Sequence, residues 1–490
     1  MIQEFYQDLL NNCSQSKNVF YTYYDQKHTY QDLYQGMCRI NSYLTGLNQK
    51  KIVVIGEKSL GSYSAIYSIL FTNNIWVPIS SGLPDERVAS ILELLMPDVI
   101  LYEDQLSKEV QSYADRNKIK TNKIDDILCQ NEVKDFSLPT FSSDDWAYIM
   151  FTSGSTGVPK GVPMTHKNYI NFIHNALEIL PIEKGEVFSD YHDFGFDISI
   201  FYLFCAPLTE SSIAPILKKA ERMLPLNHMQ KNNISIWSSV PSMVSSMQRY
   251  RPDEKQNNNL KVMFICGEPF SLDILKYCYD CLGVKHVYNF YGLTETGVEN
   301  FYHPCTEGDV ERFNKHGFVP IGKTLPGNEA KIASDKELLL SGCQITPGYL
   351  DGSGQERFEE YDGVRWYHTG DIVEIHDDYY FCKGRKDAQV KIGGYRVELM
   401  DIEVNVRQHE AVKEAICFLD EEGQNKKIIC AVEFIKGVDS LNFKELKVLL
   451  KSKIPEYMVP KNFIVLDQFP VNNNGKIDRK AVKSNYQNKK

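Results

Sequence analysis

The stretch Tyr148-Ile-Met-Phe-Thr-Ser-Gly-Ser-Thr-Gly-Val-Pro-Lys-Gly-Val-Pro-Met-Thr-His166 runs from apolar residues into a loop of Gly, Ser, Thr and Lys, and then back into extended chain. Gly154, Gly157 and Gly161 permit tight, positive-φ backbone in which N–H groups turn toward an anion. Thr152, Ser153, Ser155 and Thr156 add hydroxyl donors, and Lys160 adds a full positive charge. Such a loop handles phosphate. A Walker loop requires Gly before its Lys and Ser or Thr after it, whereas here Pro159 precedes Lys160 and Gly161 follows. A flexible Gly/Ser linker has a similar composition, but linkers are not flanked by buried strands, and residues 147–151 and 162–164 read as strands. Thr165 then caps a helix running to residue 180.

The elements that must position this loop follow an alternating rhythm. Strands at 51–56, 76–79 and 98–102 alternate with helices at 62–71 and 84–95, which predicts parallel sheet covered by helices on both faces. A second series spans 234–237, a helix at 241–250, then 262–266 and 288–292. From about 337 to 390 the strands become short and close together (338–340, 364–367, 379–382), an antiparallel β portion. Residues 388–490 read as a small α+β unit with helices near 398–409 and 443–453. The fold class is therefore α/β, with a large N-terminal domain of parallel sheets and a small β portion, and a smaller α+β C-terminal domain.

Composition bounds the function. A chain of 490 residues exceeds one hydrophobic core, so two or more domains are expected. With 43% hydrophobic and 24% charged residues it is an ordinary globular protein, and the net charge of −10 argues against general binding of nucleic acid or anionic membrane. Of the 12 cysteines only Cys278 and Cys281 stand in C-x-x-C spacing, without the second pair or nearby His that zinc requires. The amino terminus has neither the basic start nor the apolar core of a signal peptide, and no run approaches the roughly 18 apolar residues of a membrane helix. These features predict a reduced, cytoplasmic enzyme.

More motifs join the loop: Phe196-Asp-Ile-Ser199, Asn289-Phe-Tyr-Gly-Leu-Thr-Glu295, Tyr367-His-Thr-Gly-Asp371, Gly384-Arg-Lys-Asp-Ala-Gln-Val-Lys-Ile-Gly-Gly-Tyr-Arg-Val-Glu398, Ile454-Pro-Glu-Tyr-Met-Val-Pro460 and Asn474-Gly-Lys-Ile-Asp-Arg-Lys480. In order and spacing, over nearly the whole chain, they resemble the adenylate-forming superfamily and within it the amino-acid adenylation enzymes of nonribosomal peptide synthesis. Residues 234–243 and 264–268 are most similar to the stand-alone D-alanine:D-alanyl carrier protein ligases. The resemblance implies a two-step reaction: ATP and an amino acid give an aminoacyl-AMP and pyrophosphate, then the acyl group passes to the phosphopantetheine thiol of a carrier protein.

The roles it implies are specific. Lys476 matches the catalytic lysine that bridges the substrate carboxylate and the α-phosphate, Glu295 the Mg²⁺ ligand, and Thr294 an α-phosphate contact. Tyr291 matches the residue that stacks on adenine, with Gly267, Glu268, Asn289, Phe290 and Gly292 walling the base. Asp371 matches the ribose acceptor and Arg385 a donor to the same sugar. Leu293 departs from the pattern, where Pro is common. Asp197 matches the partner of the substrate's α-ammonium, which acyl-CoA ligases generally lack. The remaining pocket positions are Ile198, Phe201, Ser238, Phe264, Cys266, Phe290, Val298 and Glu299, with Lys476 at the carboxylate. Three phenylalanines leave little volume, which favours a small side chain. Cys266 matches a position associated with D-alanine, but Phe201, Phe290 and Glu299 are bulkier or more polar than expected there, so the amino acid stays unassigned. Two readings stand for Glu299: facing the pocket toward a second amino group or hydroxyl, or turned outward to an Arg or water.

The resemblance also implies domains at 1–386 and 387–490, the second rotating about a hinge at Asp387 so that the Gly393-Gly394 strand replaces Lys476 after the first step. The cofactors implied are ATP and Mg²⁺. The chain carries no phosphopantetheine site, so its acceptor is expected to be a separate carrier protein, with Lys383, Arg385 and Lys386 as local positive charge for docking and the enzyme itself a monomer. An acyl- or aryl-CoA synthetase is the rival reading, which Asp197 opposes. A non-catalytic nucleotide-binding protein is more remote, because Lys160, Glu295, Asp371, Arg385 and Lys476 are all present.

Overall fold

The computed structural model describes residues 1–130, 133–154, 157–251, 259–386, 389–421, 426–435, 438, 441–470 and 477–488. Asp387, Ser155, Thr156 and Lys476, each singled out above, lie outside the described residues. The chain forms two compact units. The first comprises Met1–Ser81, Leu94–Phe151 and Gly161–Lys386; the second comprises Gly82–Glu93, Thr152–Lys160 and Asp387–Lys490.

In the first unit, strands such as Lys51–Gly56 and Ile75–Ser80 are almost continuously apolar because helices cover both sheet faces. They belong to a six-stranded sheet in the order Lys120–Lys123, Val99–Tyr102, Lys51–Gly56, Ile75–Ser80, Trp146–Thr152, Lys160–Thr165. Val53 sits opposite Val77 on one side and Ile100 on the other, both in parallel register. The helix Leu60–Phe71 is capped by Ser59, whose hydroxyl accepts from the Ser62 N–H, and is buried along nearly its whole length.

A nine-stranded sheet carries Ser238, Phe264, Asn289, Phe290 and Tyr291 of the expected site residues. Its parallel centre runs His286–Tyr291, Val262–Ile265, Ile236–Ser239, Val187–Asp190, Ser212–Pro215 and Val19–Tyr23. The edges are antiparallel, through Phe301–Cys305 with Lys323–Thr324 at one side and Gln26–Thr29 at the other. Short chain reversals return the strand beside itself at these edges; Tyr24, at φ 53°, makes the tight turn before Gln26. The antiparallel portion is a five-stranded sheet of Asn328–Ile332, Glu337–Gly342, Phe358–Tyr361, Val364–His376 and Tyr379–Arg385. The first residues form the helix Ile2–Gln15, an element beyond those expected from the sequence; Phe5, Tyr6, Leu9, Leu10 and Cys13 recur at helical spacing and are buried.

In the second unit, the hairpin Gln389–Ile392 and Tyr395–Glu398 turns through Gly393 and Gly394, at φ 58° and 85°, a conformation that glycine adopts without strain. The helix Leu399–Arg407 and a sheet of Val412–Asp420, Lys427–Phe434 and Asn462–Val465 enclose a core that includes Val397, Ile402, Val406, Cys430, Val432 and Leu446. The helices Phe443–Lys453 and Arg479–Asn488 complete it. Among the described residues no helix is long and apolar enough to cross a membrane.

Candidate active site

The antiparallel sheet of the first unit holds Asp371 against Arg385. The two are directly paired on neighbouring strands, and one register step on, the strand Tyr379–Arg385 carries an extra residue, Lys383, as a bulge. Asp371 is buried; its Oδ1 accepts from Arg385 Nη1 at 2.9 Å and its Oδ2 from the Tyr291 hydroxyl at 2.5 Å. Arg385 Nη2 also donates to the Thr369 carbonyl at 3.1 Å, and the Thr369 hydroxyl accepts from the Asp371 N–H at 3.0 Å. Tyr291, expected to stack on a base, is a buried ring set edge-on to Phe301, and burial followed by the Asp371 charge pushes its phenol well above the usual range. Asn289 is buried as well and spends its side-chain amide on the Pro320 carbonyl, 2.8 Å away. Gly267, at φ 79°, and Glu268 follow the strand Val262–Ile265, and Glu268 accepts from the Ser242 N–H at 3.0 Å.

Beyond Tyr291 the chain makes a close turn. A Cβ on Gly292 would lie 2.2 Å from the Val298 carbonyl oxygen, so no other residue fits. The single turn Thr294–Thr296 presents Thr294 at the surface of the turn and buries Glu295, whose Oε1 accepts from the Tyr349 hydroxyl at 2.8 Å. Tyr349 in turn lies 3.3 Å from the Tyr367 hydroxyl. Gly297 and Val298 follow at φ 75° and 76°, an uncommon and strained conformation for a β-branched residue. Gln344 holds them there: its Nε2 donates to the carbonyls of Gly297 at 2.7 Å and Glu299 at 2.8 Å, while its Oε1 accepts from Asn171 and Asn328, each at 2.8 Å. Neither Gln344 nor Tyr349 was singled out in the sequence. Glu299 is only 4% exposed, so its carboxylate points into the protein rather than outward to water.

Of the positions expected to bind substrate, Ile198, Phe201, Phe264, Cys266, Phe290 and Val298 belong to the large buried core of the first unit. Three phenylalanines stack in series: Phe201 on Phe264 with ring centres 4.5 Å apart, and Phe264 on Phe290 at 4.1 Å. Ser238 is opposite Phe264 in the parallel sheet, and its buried hydroxyl has no hydrogen-bond partner among the described residues. Asp197 stands at the turn that begins the buried helix Ser199–Leu208, half-exposed, with its carbonyl accepting from the Ile200 N–H. Burial first, and then the Asp197 charge, push the phenol of Tyr148, on the strand Trp146–Thr152, well up.

In the second unit the loop itself is pinned. A Cβ on Gly154 would meet the Val158 carbonyl at 2.0 Å, and Gly157 sits at φ 84°. The Ser153 hydroxyl, expected to face phosphate, donates to the Arg396 carbonyl and accepts from the Glu398 N–H, both at 3.2 Å. Arg87 Nη1 donates to the Gly157 carbonyl at 2.9 Å and Nη2 to Asp401 Oδ2 at 3.0 Å; both side chains are buried. Thr152 and Lys160 are half-buried at the ends of the flanking strands. Arg479, three residues past Lys476, forks onto buried Glu403. Among the described residues there is no group of three or more His, Cys, Asp or Glu able to hold a metal ion.

Two family models match the chain that carries the glycine-built loop, the Thr-Glu turn and the buried Asp–Arg–Tyr cluster. The AMP-binding enzyme family matches residues 11–350, and the AMP-binding enzyme C-terminal domain matches residues 401–476. The chain belongs to the AMP-binding enzyme family. Two curated relatives in that family are D-alanine–D-alanyl carrier protein ligases. The one from Lactococcus lactis subsp. lactis (strain IL1403) is 30% identical over 478 residues, covering 94% of each chain. The one from Staphylococcus epidermidis (strain RP62A) is 31% identical over 474 residues, covering 93% of this chain and 94% of its own. Among solved structures, the Vibrio cholerae adenylation domain AlmE, bound to glycyl-adenosine-5'-phosphate, superposes with a TM-score of 0.83 at 21% identity over 99% of this AMP-binding enzyme and 98% of its own length. A double mutant of Bacillus subtilis o-succinylbenzoate CoA synthetase gives 0.82 at 20% identity, over 97% and 98%. The fold is thus common to adenylation domains and to CoA synthetases, and this AMP-binding enzyme is an adenylate-forming ligase that uses ATP.

Proposed function

We propose that the protein activates a small amino acid with ATP and transfers it to the phosphopantetheine thiol of a separate carrier protein. In the first step a substrate carboxylate oxygen bonds to the α-phosphorus, and pyrophosphate leaves with the electron pair of the broken P–O bond. In the second, the carrier sulfur bonds to the acyl carbon, AMP leaves, and the thiol proton passes to solvent. The observation that carries the amino-acid reading is Asp197, half-exposed at the turn that begins the helix Ser199–Leu208, whose Phe201 belongs to the buried Phe201–Phe264–Phe290 stack. A carboxylate there pairs with an α-ammonium and repels a second carboxylate, and the stacked rings favour a short side chain. The 30% identity to D-alanine–D-alanyl carrier protein ligases over nearly the whole chain supports the same reading and makes D-alanine the first candidate to test.

The remaining assignments follow from it. Thr152, Gly154, Ser155, Thr156, Gly157 and Lys160 grip the triphosphate, Ser153 joins them through its backbone while its hydroxyl ties the loop to Arg396 and Glu398, and Asp371 with Arg385 orients the ribose. Glu295, a buried hard oxygen donor with no surrounding acidic cluster among the described residues, fits Mg²⁺ held by one carboxylate together with substrate phosphates. Such an ion supplies charge neutralisation at the triphosphate. Lys476 stabilises the charge that develops between carboxylate and α-phosphate. Replacing it tests the scheme. With Lys476→Ala, ATP–pyrophosphate exchange is expected to fall by on the order of 10²- to 10³-fold or more, while carrier loading from supplied aminoacyl-AMP persists. Equal losses in both half-reactions would contradict the assignment.

A further inference from the structure

We propose that the exposed segment Leu217–Leu224, with the side chains that frame it, is the surface on which an acidic, phosphopantetheine-bearing carrier protein docks. This rests on the carrier-loading function proposed above. Three apolar side chains stand out from the surface here: Leu217 is 39% exposed, Met223 59% and Leu224 44%. Their backbone is fixed from beneath. The buried Glu221 carboxylate accepts from the hydroxyls of Tyr23 and Tyr24 at 2.7 and 2.8 Å and from the N–H groups of Leu217 and Lys218 at 3.0 Å each. A platform this firmly held presents its apolar groups without paying to order them on binding.

Charge identifies the occupant. Lys218 and Lys219 are exposed on the segment; the Lys218 ammonium lies 5.8 Å from the Tyr23 ring, and Lys231, also exposed, lies 5.4 Å from the Tyr24 ring. The one acidic side chain within the segment, Glu221, is consumed internally, and the adjoining turn adds Asp25 and Lys27, one of each sign. On a chain of net charge −10, a basic rim around exposed apolar groups selects an anionic partner. A phosphopantetheine arm carries a phosphodiester anion at its root, and a helix presenting carboxylates beside that root matches the rest of the rim.

Location ties the surface to the acyl group. Arg222 Nη2 donates to Asp193 Oδ1 at 2.9 Å, and its guanidinium lies 5.7 Å from the Tyr191 ring. Tyr191 and Asp193 begin the turn that ends at Asp197, and the Phe196 N–H donates back to the Asp193 carbonyl at 3.0 Å. A carrier seated on Leu217–Leu224 is therefore joined, through the Arg222–Asp193 ion pair, to the turn that carries Asp197. The 383–386 cluster expected to dock the carrier is less suited, because Arg385 is spent on Asp371 and Lys386 on Asp335 and Glu337.

The test uses the full chain with two acceptors, the holo form of a D-alanyl carrier protein and free pantetheine, and the double variant Lys218→Glu/Lys219→Glu beside Met223→Asp. Expected are a rise of about 10-fold or more in KM for the holo-carrier, a weaker salt dependence of loading in the lysine variant, and unchanged transfer to pantetheine and unchanged ATP–pyrophosphate exchange. Wild-type kcat/KM for the carrier in both variants would overturn the surface. So would equal losses with pantetheine, which would mean that the segment serves chemistry rather than docking. A wild-type protein that forms aminoacyl-AMP yet loads no holo-carrier would instead overturn the transfer reading on which the surface depends.

Discussion

At the scale of single residues, the loop after Tyr291 depends on groups that no motif announces. Val298 at φ 76° and Gly297 at φ 75° are held by Gln344, a fully buried side chain that uses both ends of its amide. Gln344→Leu, which keeps the volume but leaves two buried carbonyls without their donor, is expected to lower stability by about 2–5 kcal/mol, read by thermal denaturation. A variant that melts with the wild type would show that the loop holds itself. The Lys, Glu, Asp and Arg positions that match motifs were legible in the sequence because chemistry restricts them to one residue type. Gln344 and Tyr349 were not, because the groups of the loop they hold, the Gly297 and Glu299 carbonyls and the Glu295 carboxylate, lie 45–54 positions away in the chain, and so distant a hydrogen bond leaves no local pattern.

At the scale of elements, the strand–helix rhythm of residues 51–102 and 234–292 was legible because buried parallel strands are short, apolar and regularly spaced. The role of the helix Asp85–Leu95 was not: nothing near Arg87 in sequence says that it reaches both the glycine loop at Gly157 and the helix Leu399–Arg407 at Asp401. Burial raises the Asp401 carboxyl to about 6 despite Arg87 and Asn405. Because the folded state holds this proton more tightly than the unfolded chain, the contribution to stability is full below about pH 4 and is lost as pH rises through about 6. The wild type should therefore gain up to about 3 kcal/mol relative to Asp401→Asn on going from pH 7 to pH 4. Parallel pH profiles for the two proteins in denaturant titrations would contradict a carboxyl raised by burial.

At the scale of the molecule, the order of motifs from Thr152 to Arg479 places the chain among AMP-binding enzymes before any contact is known, and both domain families of that group match it. The fold alone does not choose between an amino acid and another carboxylic acid, since an adenylation domain and a CoA synthetase superpose on it almost equally, at TM-scores of 0.83 and 0.82. The choice falls to Asp197, the phenylalanine stack and buried Glu299. ATP–pyrophosphate exchange by the full chain, with D- and L-alanine, glycine and small diamino acids set against the same acids lacking the α-amino group, tests it most directly. The account predicts exchange with a small amino acid at least on the order of 10²-fold above its des-amino counterpart, a difference abolished by Asp197→Ala. Exchange that is as fast with the des-amino acids, or absent with every acid, would contradict it.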